Sequence, residues 1–179
     1  MSVAIGAEAT FVARTHDLDR KHMMETFRAA HDHRGAAFVE ILQNCNVFND
    51  GAFEDITGRE NRPEMLIPLE HGKPIRFGEN GHRGIVMGTD GQLRIVEVAD
   101  VGEAAILVHD AHRADSGLAF ALSRLSHGVH EPTPMGVFRA VDREEYASAV
   151  QRQVVAAGAK NGPGDLAALL RSGGTWFVN

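Results

Sequence analysis

A strand, a helix and a second strand are written into residues 10–42, and together they constrain this chain more than any other feature. Thr10-Phe11-Val12-Ala13 reads as a short strand following Gly6-Ala7-Glu8-Ala9. From Arg20 to His33 the apolar residues Met23, Met24, Phe27 and Ala30 recur at helical spacing, which predicts an amphipathic helix. Asp17 or Asp19 can cap its start, and Gly35 takes the place of a C′ glycine at its end. Ala36-Ala37-Phe38-Val39-Glu40-Ile41-Leu42 is apolar but for Glu40, as expected of a strand covered on both faces in a parallel sheet. Two parallel strands joined through a helix form a βαβ unit with a right-handed crossover.

Beyond that unit the pattern loosens. The stretch from Asn44 to Pro68 mixes turn formers and charges without a period and predicts a long ordered loop. Gly84-Ile85-Val86-Met87 and Leu93-Arg94-Ile95-Val96-Glu97-Val98 flank Thr89-Asp90-Gly91, a hairpin signature. Ala105 to His109 reads as another strand, Gly117 to Leu125 as a helix, and Gly136 to Val141 as a last short strand. Asp142 with Glu145 suggests a capping box for a helix to Ala157, broken over Gly158 to Gly164. Asp165 can cap a second short helix to Arg171.

Composition narrows the function classes. At 179 residues, 44% apolar and 23% charged, the chain suits one globular domain or slightly more, which excludes disorder, collagen and coiled coil. No apolar run reaches the ~18–20 residues of a membrane span, and no signal-peptide pattern opens the chain, so a cytoplasmic protein without a membrane partner is expected. A net charge of -6, with no basic run, argues against nucleic acid. Cys45 is the single cysteine, so no internal disulfide can form, and it cannot by itself make a zinc or iron–sulfur site.

The ten histidines lack metal-ligand spacing: His31 and His33 point apart on a helix, and His109 and His112 stand outside any HExxH pattern. Glycines 78, 81, 84 and 88 do not make GxGxxG and read as turn and hairpin residues. No Gly-x-Ser-x-Gly elbow anchors a hydrolase triad. A lone cysteine is usually a small buried apolar residue. Cys45, however, follows the carboxyl end of a parallel strand, where open α/β sheets place their ligands, and Asn44 and Asn46 flank it with polar groups.

Gly6-Ala7-Glu8-Ala9-Thr10-Phe11-Val12-Ala13-Arg14, the helix end Ala29-Ala30-His31-Asp32-His33-Arg34-Gly35 and the run from Phe38 through Asn44-Cys45-Asn46-Val47-Phe48-Asn49 closely resemble the β subunit of 2-oxoacid:ferredoxin oxidoreductases, in particular the 2-oxoglutarate type. Leu69-Glu70-His71-Gly72-Lys73-Pro74, Ile106-Leu107-Val108-His109-Asp110 and Thr133-Pro134-Met135-Gly136-Val137-Phe138-Arg139 look like the carboxyl-terminal extension of that subunit. The resemblance covers residues 4–140.

It implies an α/β fold: the carboxyl-terminal βαβ portion of a thiamine diphosphate-binding fold over residues 1–50, an extension with a β-hairpin and a strand-helix pair over 51–140, and a helical tail over 141–179. Such enzymes decarboxylate a 2-oxoacid on thiamine diphosphate with magnesium, deliver the acyl group to coenzyme A and pass electrons through a 4Fe-4S cluster to ferredoxin, working with an α subunit. Cys45 stands at the position of the family's last cluster thiolate, with Asn44, Asn46 and Asn49 as surrounding, loop-shaping groups. The chain departs from the family in lacking the Cys-x-x-Cys and Gly-Asp-Gly motifs of the subunit's amino-terminal half. The expectation is the carboxyl-terminal part of a β subunit, truncated or begun at an internal start, inactive and cluster-free by itself because the cluster needs four thiolates. Its open strand edge and apolar face should favour self-association. A stand-alone interaction or small-ligand module, or a thiol enzyme using Cys45, are the alternatives.

Overall fold

The computed structural model describes residues 1–125, 131–174, 176 and 178. In chain order the elements are α1 (Ser2–Gly6), β1 (Phe11–His16), α2 (Arg20–Asp32), β2 (Ala37–Leu42), α3 (Glu54–Thr57), α4 (Arg62–Met65), β3 (Leu66–Leu69), β4 (Arg76–Phe77), β5 (Arg83–Met87), β6 (Leu93–Glu97), α5 (Val98–Val101), α6 (Gly117–Ser123), β7 (Thr133–Ala140), α7 (Tyr146–Asn161) and α8 (Leu166–Arg171), with 3-10 turns at Glu79–Gly81 and Glu103–Ala105. They form two compact units, Met1–Arg143 and Glu144–Asn179.

The βαβ unit forms as the pattern predicts. β1 and β2 pair in parallel, from Phe11 opposite Ala37 to His16 opposite Leu42. The Asp19 carboxylate caps α2 by accepting the His22 N–H at 3.0 Å, satisfying a donor that the helix leaves open. α2 stops at Asp32 because His33 turns extended and fixes its ring to the Thr10 hydroxyl at 2.8 Å. Gly35 therefore lies past the C′ position. Its φ of +130° is used in the link into β2, where a Cβ would press on the Thr10 oxygen at 3.3 Å.

The first sheet runs β2-β1-β7-β3. β7 lies antiparallel to β1 and parallel to β3, so β1 and β7 are the inner strands and β2 is an edge. This corrects the expectation that β2 is covered on both faces: Phe38 and Ile41 are each 41% exposed on a strand that lies at the rim of the sheet. β7 begins earlier than Gly136 and is central. Pro134 is tolerated within it because the pairing with β1 stops at Gly136, so no ladder bond toward β1 is required of the missing N–H. Gly136, at φ +124°, passes so close to the Leu69 carbonyl that a Cβ would sit 2.5 Å from it. The second sheet, β4-β5-β6, contains the expected hairpin, in register from Arg83 opposite Glu97 to Met87 opposite Leu93.

Several local expectations give way to tertiary structure. The span read as a loop to Pro68 contains α3, α4 and β3, the last held by its parallel pairing with β7. Residues 105–109 are no regular strand. The Leu107 N–H bonds to Ile85 at 2.8 Å and its carbonyl accepts from Ile75 at 2.9 Å, but at Pro74 opposite Val108 the ladder meets a residue without an N–H. α6 ends at Ser123 rather than Leu125, with Leu118, Ala119 and Leu122 buried against Ile5, Val12, Ile67 and Phe138.

The Asp142 capping box does not form. α7 starts at Tyr146, and the Glu145 carboxylate accepts from the Ser148 hydroxyl at 2.7 Å. The helix runs through Gly158 and stops at Asn161, before Gly162 at φ +76°. Asp165 caps α8 as predicted, accepting the Ala168 N–H at 3.1 Å. Among the described residues, no helix is long and apolar enough to cross a membrane.

Candidate functional site

Because β1 and β2 are parallel, their carboxyl ends open at one edge of the sheet, and the two segments that leave them meet there. Asp17 follows β1 and donates its N–H to the Leu42 carbonyl at 3.1 Å. Its carboxylate in turn accepts the Asn44 N–H at 3.1 Å, so the start of the second segment is tied to the end of the first strand.

Asn44 uses its whole side chain within the loop that follows. Oδ1 accepts the Gly51 N–H at 2.8 Å, and Nδ2 donates to Asn46 Oδ1 at 3.1 Å and to Asp50 Oδ1 at 2.9 Å. Inside this ring of bonds Cys45 is half-buried and bridges to Asn49, whose N–H reaches the Cys45 carbonyl at 2.9 Å. Hydrogen bonding from the N–H groups of Phe48 and Val47, with a smaller contribution from Asn49, holds the Cys45 thiol below its ordinary range. The thiolate is therefore favoured by backbone dipoles. The apolar side chains over the turn are open to solvent, Val47 at 80% and Phe48 at 90% exposed.

Beside this loop lies a cleft of about 280 Å³ lined by Asp17, Leu18, Asn44, Asp50, Phe53 and Thr57, among others. His16, the last residue of β1, is 2% exposed, and its Nδ1 has no partner among the described residues. Burial, then the Arg62 guanidinium, pushes its pKa down and keeps it neutral.

The structure brings Cys45, Asn44 and Asn46 together, with Asn44 and Asn46 bonded to each other. Asn49 contributes through its backbone. Sequence reading named Asp17 only as a possible helix cap. Its actual partner, Asn44, is 27 residues away, and no local signal marks that bond.

The other candidates disperse. His109 is 1% exposed and bonds the Val137 carbonyl through Nε2 at 2.7 Å, while His112 bonds the Ala140 carbonyl at 2.5 Å. His33 is taken by Thr10. Among the described residues, no group of three His, Cys, Asp or Glu side chains could hold a metal ion. Gly84 packs beneath Ile106, and Gly88 and Gly91 shape the hairpin turn.

Cys45 fits one thiolate position of an iron–sulfur cluster: it is partly accessible and its charged form is favoured. As the chain's one cysteine it cannot supply the rest of a four-thiolate set.

No family model matches the chain. It is 47% identical over 181 residues to the 2-oxoglutarate oxidoreductase subunit KorB of Mycobacterium tuberculosis, a match that takes in all of this chain and 48% of that protein. It is 40% identical over 50 residues to the 2-oxoacid:ferredoxin oxidoreductase subunit beta of a Sulfolobus species, covering 28% of this chain and 16% of that one. Among solved structures it is similar to the 2-oxoglutarate:ferredoxin oxidoreductase from Magnetococcus marinus, solved with 2-oxoglutarate, coenzyme A and succinyl-CoA bound. There the TM-score is 0.55 at 17% identity, over 97% of this chain and 43% of that one. The chain thus spans about half the length of the curated relative it matches end to end.

Proposed function

We propose, on its similarity along the whole chain to β subunits of 2-oxoacid:ferredoxin oxidoreductases, that this polypeptide is the carboxyl-terminal part of such a subunit, with 2-oxoglutarate as the substrate of the assembled enzyme. The single observation that carries the reading is the 47% identity to the 2-oxoglutarate oxidoreductase subunit across the full chain. The assembled enzyme decarboxylates 2-oxoglutarate, transfers the succinyl group to coenzyme A and passes two electrons to ferredoxin. Its partners are the α subunit and the amino-terminal part of the β subunit, and its compartment is the cytoplasm.

Cys45 is one thiolate ligand of a 4Fe-4S cluster, which when bound relays single electrons toward ferredoxin. Its position at the carboxyl edge of the β1/β2 pair and the favoured charged form of its thiol support that role. Asn44 and Asn46 shape the loop by their side chains, and Asn49 does so by its backbone. No residue of this chain is assigned to thiamine diphosphate or magnesium, whose chemistry lies with the rest of the subunit. The ligand reading is favoured over the thiol-enzyme alternative because, among the described residues, backbone N–H groups and not a histidine lower the pKa of the Cys45 thiol.

The test is co-expression with the α subunit and a polypeptide carrying the Cys-x-x-Cys and Gly-Asp-Gly motifs, followed by assay of ferredoxin reduction. Reduction dependent on both 2-oxoglutarate and coenzyme A, abolished together with cluster absorbance by Cys45→Ser, is expected. An assembly that forms yet never reduces ferredoxin would refute the reading.

A further inference from the structure

We propose that His71 is an acid-sensitive latch: neutral, its ring holds the backbone of residues 109–112, and once protonated it releases that backbone and turns to the Asp110 carboxylate. The device is independent of the role given to Cys45.

Residues 109–112 lie between two neighbours. On one side, β7 accepts the His109 Nε2–H at the Val137 carbonyl, 2.7 Å away, and the His112 Nδ1–H at the Ala140 carbonyl, 2.5 Å away. The Ala140 N–H returns to the Ala111 carbonyl at 2.7 Å. On the other side, the turn between β3 and β4 gives the Gly72 N–H to the His109 carbonyl at 2.8 Å and takes the His109 N–H at the Lys73 carbonyl at 2.9 Å. Ala111 is buried, and its N–H goes to Nδ1 of His71 at 3.3 Å, which spares the fold an unpaired donor.

Protonation treats the three rings differently. A carbonyl only accepts, so His109 Nε2 and His112 Nδ1 already carry their protons, and charging either ring leaves its bond in place. His71 is the reverse case. A backbone N–H only donates, so Nδ1 accepts it with a lone pair while the proton of the neutral ring sits on Nε2. A second proton takes that lone pair and cancels the bond to Ala111. A new partner is at hand, because Asp110 Oδ1 stands 3.4 Å from the same nitrogen, and both side chains are half-exposed and free to adjust. His112 acts in the same direction. Its ring centroid is 4.3 Å from that of His71, so two charged rings there repel. Among the described residues, His109, Asp110 and His112 are the titratable groups that face His71 from the 109–112 segment, while Glu70 and Lys73 of its own turn pair with each other. The backbone bonds at Gly72 and Lys73 do not titrate, so acid loosens one side-chain link and leaves the segment in place.

The test is nuclear magnetic resonance of the whole chain between pH 7.5 and 5. Long-range proton–nitrogen spectra at pH 7.5 should find His71 protonated at Nε2 and bare at Nδ1. On acidification the Ala111 amide should shift with the same midpoint as the His71 ring. It should also lose about tenfold in exchange protection, measured against the unfolded-chain rate at each pH, as expected for one net hydrogen bond. The Val12 and Ile85 amides, which report on the core, should not follow that midpoint. His71→Gln supplies an oxygen that does not titrate, so Ala111 should stay protected and stop responding to pH. His112→Gln keeps an N–H for the Ala140 carbonyl and removes the neighbouring charge, so the loss at Ala111 should shrink without vanishing. A bare Nε2 and protonated Nδ1 at pH 7.5, an Ala111 amide that ignores the His71 titration, or one that titrates unchanged in His71→Gln overturns the latch. An undiminished loss in His112→Gln overturns the share given to repulsion between the rings.

Discussion

β1 and β2 are partners in one parallel pair, yet they occupy opposite environments. Phe11, Val12, Ala13, Thr15 and His16 of β1 are buried between β2 and β7, whereas every residue of β2 is half-buried or exposed. β2 is the more apolar of the two in composition, so residue type does not explain why it is the more exposed. Position in the sheet does: β1 is closed on both sides, and among the described residues nothing pairs with the outer edge of β2. An apolar strand left at an edge is a surface waiting for a partner, and the loop carrying Cys45 departs from that strand. The interior of this unit supports the fold, and the open side carries the proposed chemistry.

The largest effect should come from the closed strand. Phe11→Ala should cost about 3–5 kcal/mol in urea unfolding, because a buried ring is removed from a packed site. Phe38→Ala on β2 should cost about 1 kcal/mol or less by the same assay, since much of that ring is already in water. Equal costs would break the comparison.

Acid should also act on the closed side. His16 and His109 are buried with Nδ1 unpartnered among the described residues, and burial is the first cause lowering the pKa of each. Below the ordinary histidine value of about 6.5 the unfolded chain binds protons that the folded chain refuses, so stability rises with pH in that window. The stability held above about pH 6.5 should be lost as pH falls toward the lower folded values. The urea midpoint should therefore be lower at pH 5.5 than at 7.5, and His109→Gln, which keeps a donor for the Val137 carbonyl, should flatten the difference. A midpoint independent of pH would mean that these rings are hydrated in solution.

A smaller effect belongs to the open edge. Sedimentation velocity should find concentration-dependent association of the wild-type chain, reduced in Phe38→Lys, because a charge on an edge strand discourages pairing between copies. Association indifferent to that substitution would move the contact elsewhere. The smallest effect is local: Asp165→Ala should cost about 1 kcal/mol of α8 helicity, seen by helical circular dichroism, and leave the unfolding of Met1–Arg143 unchanged.

Legibility in the sequence followed the range of the interactions. β1, α2, β2 and the β5/β6 hairpin rest on local periodicity and turn chemistry, and each can be read from a short window. β3 cannot, and β7 was legible only from Gly136 onward, because Pro68, Pro132 and Pro134 mask the rest locally and their pairing joins segments far apart in the chain. The burial of β2 was misjudged for a related reason: an apolar run does not say which of its neighbours will be present. At the candidate site, Cys45 was legible from its place after a strand and from the resemblance. The work of Asn44 was not, since the Asp17 bond and the Gly51 closure exist only after the strands align. His16 gave no signal at all, being the last of three polar residues that follow the apolar start of β1.

Anaerobic iron–sulfur reconstitution tests the central claim most directly, with iron content and visible absorbance read per chain, for this polypeptide alone and together with the rest of the subunit. The account predicts a 4Fe-4S cluster only in the completed assembly, lost in Cys45→Ser. A cluster that forms there regardless of Cys45, or no cluster in a properly assembled subunit, would contradict it.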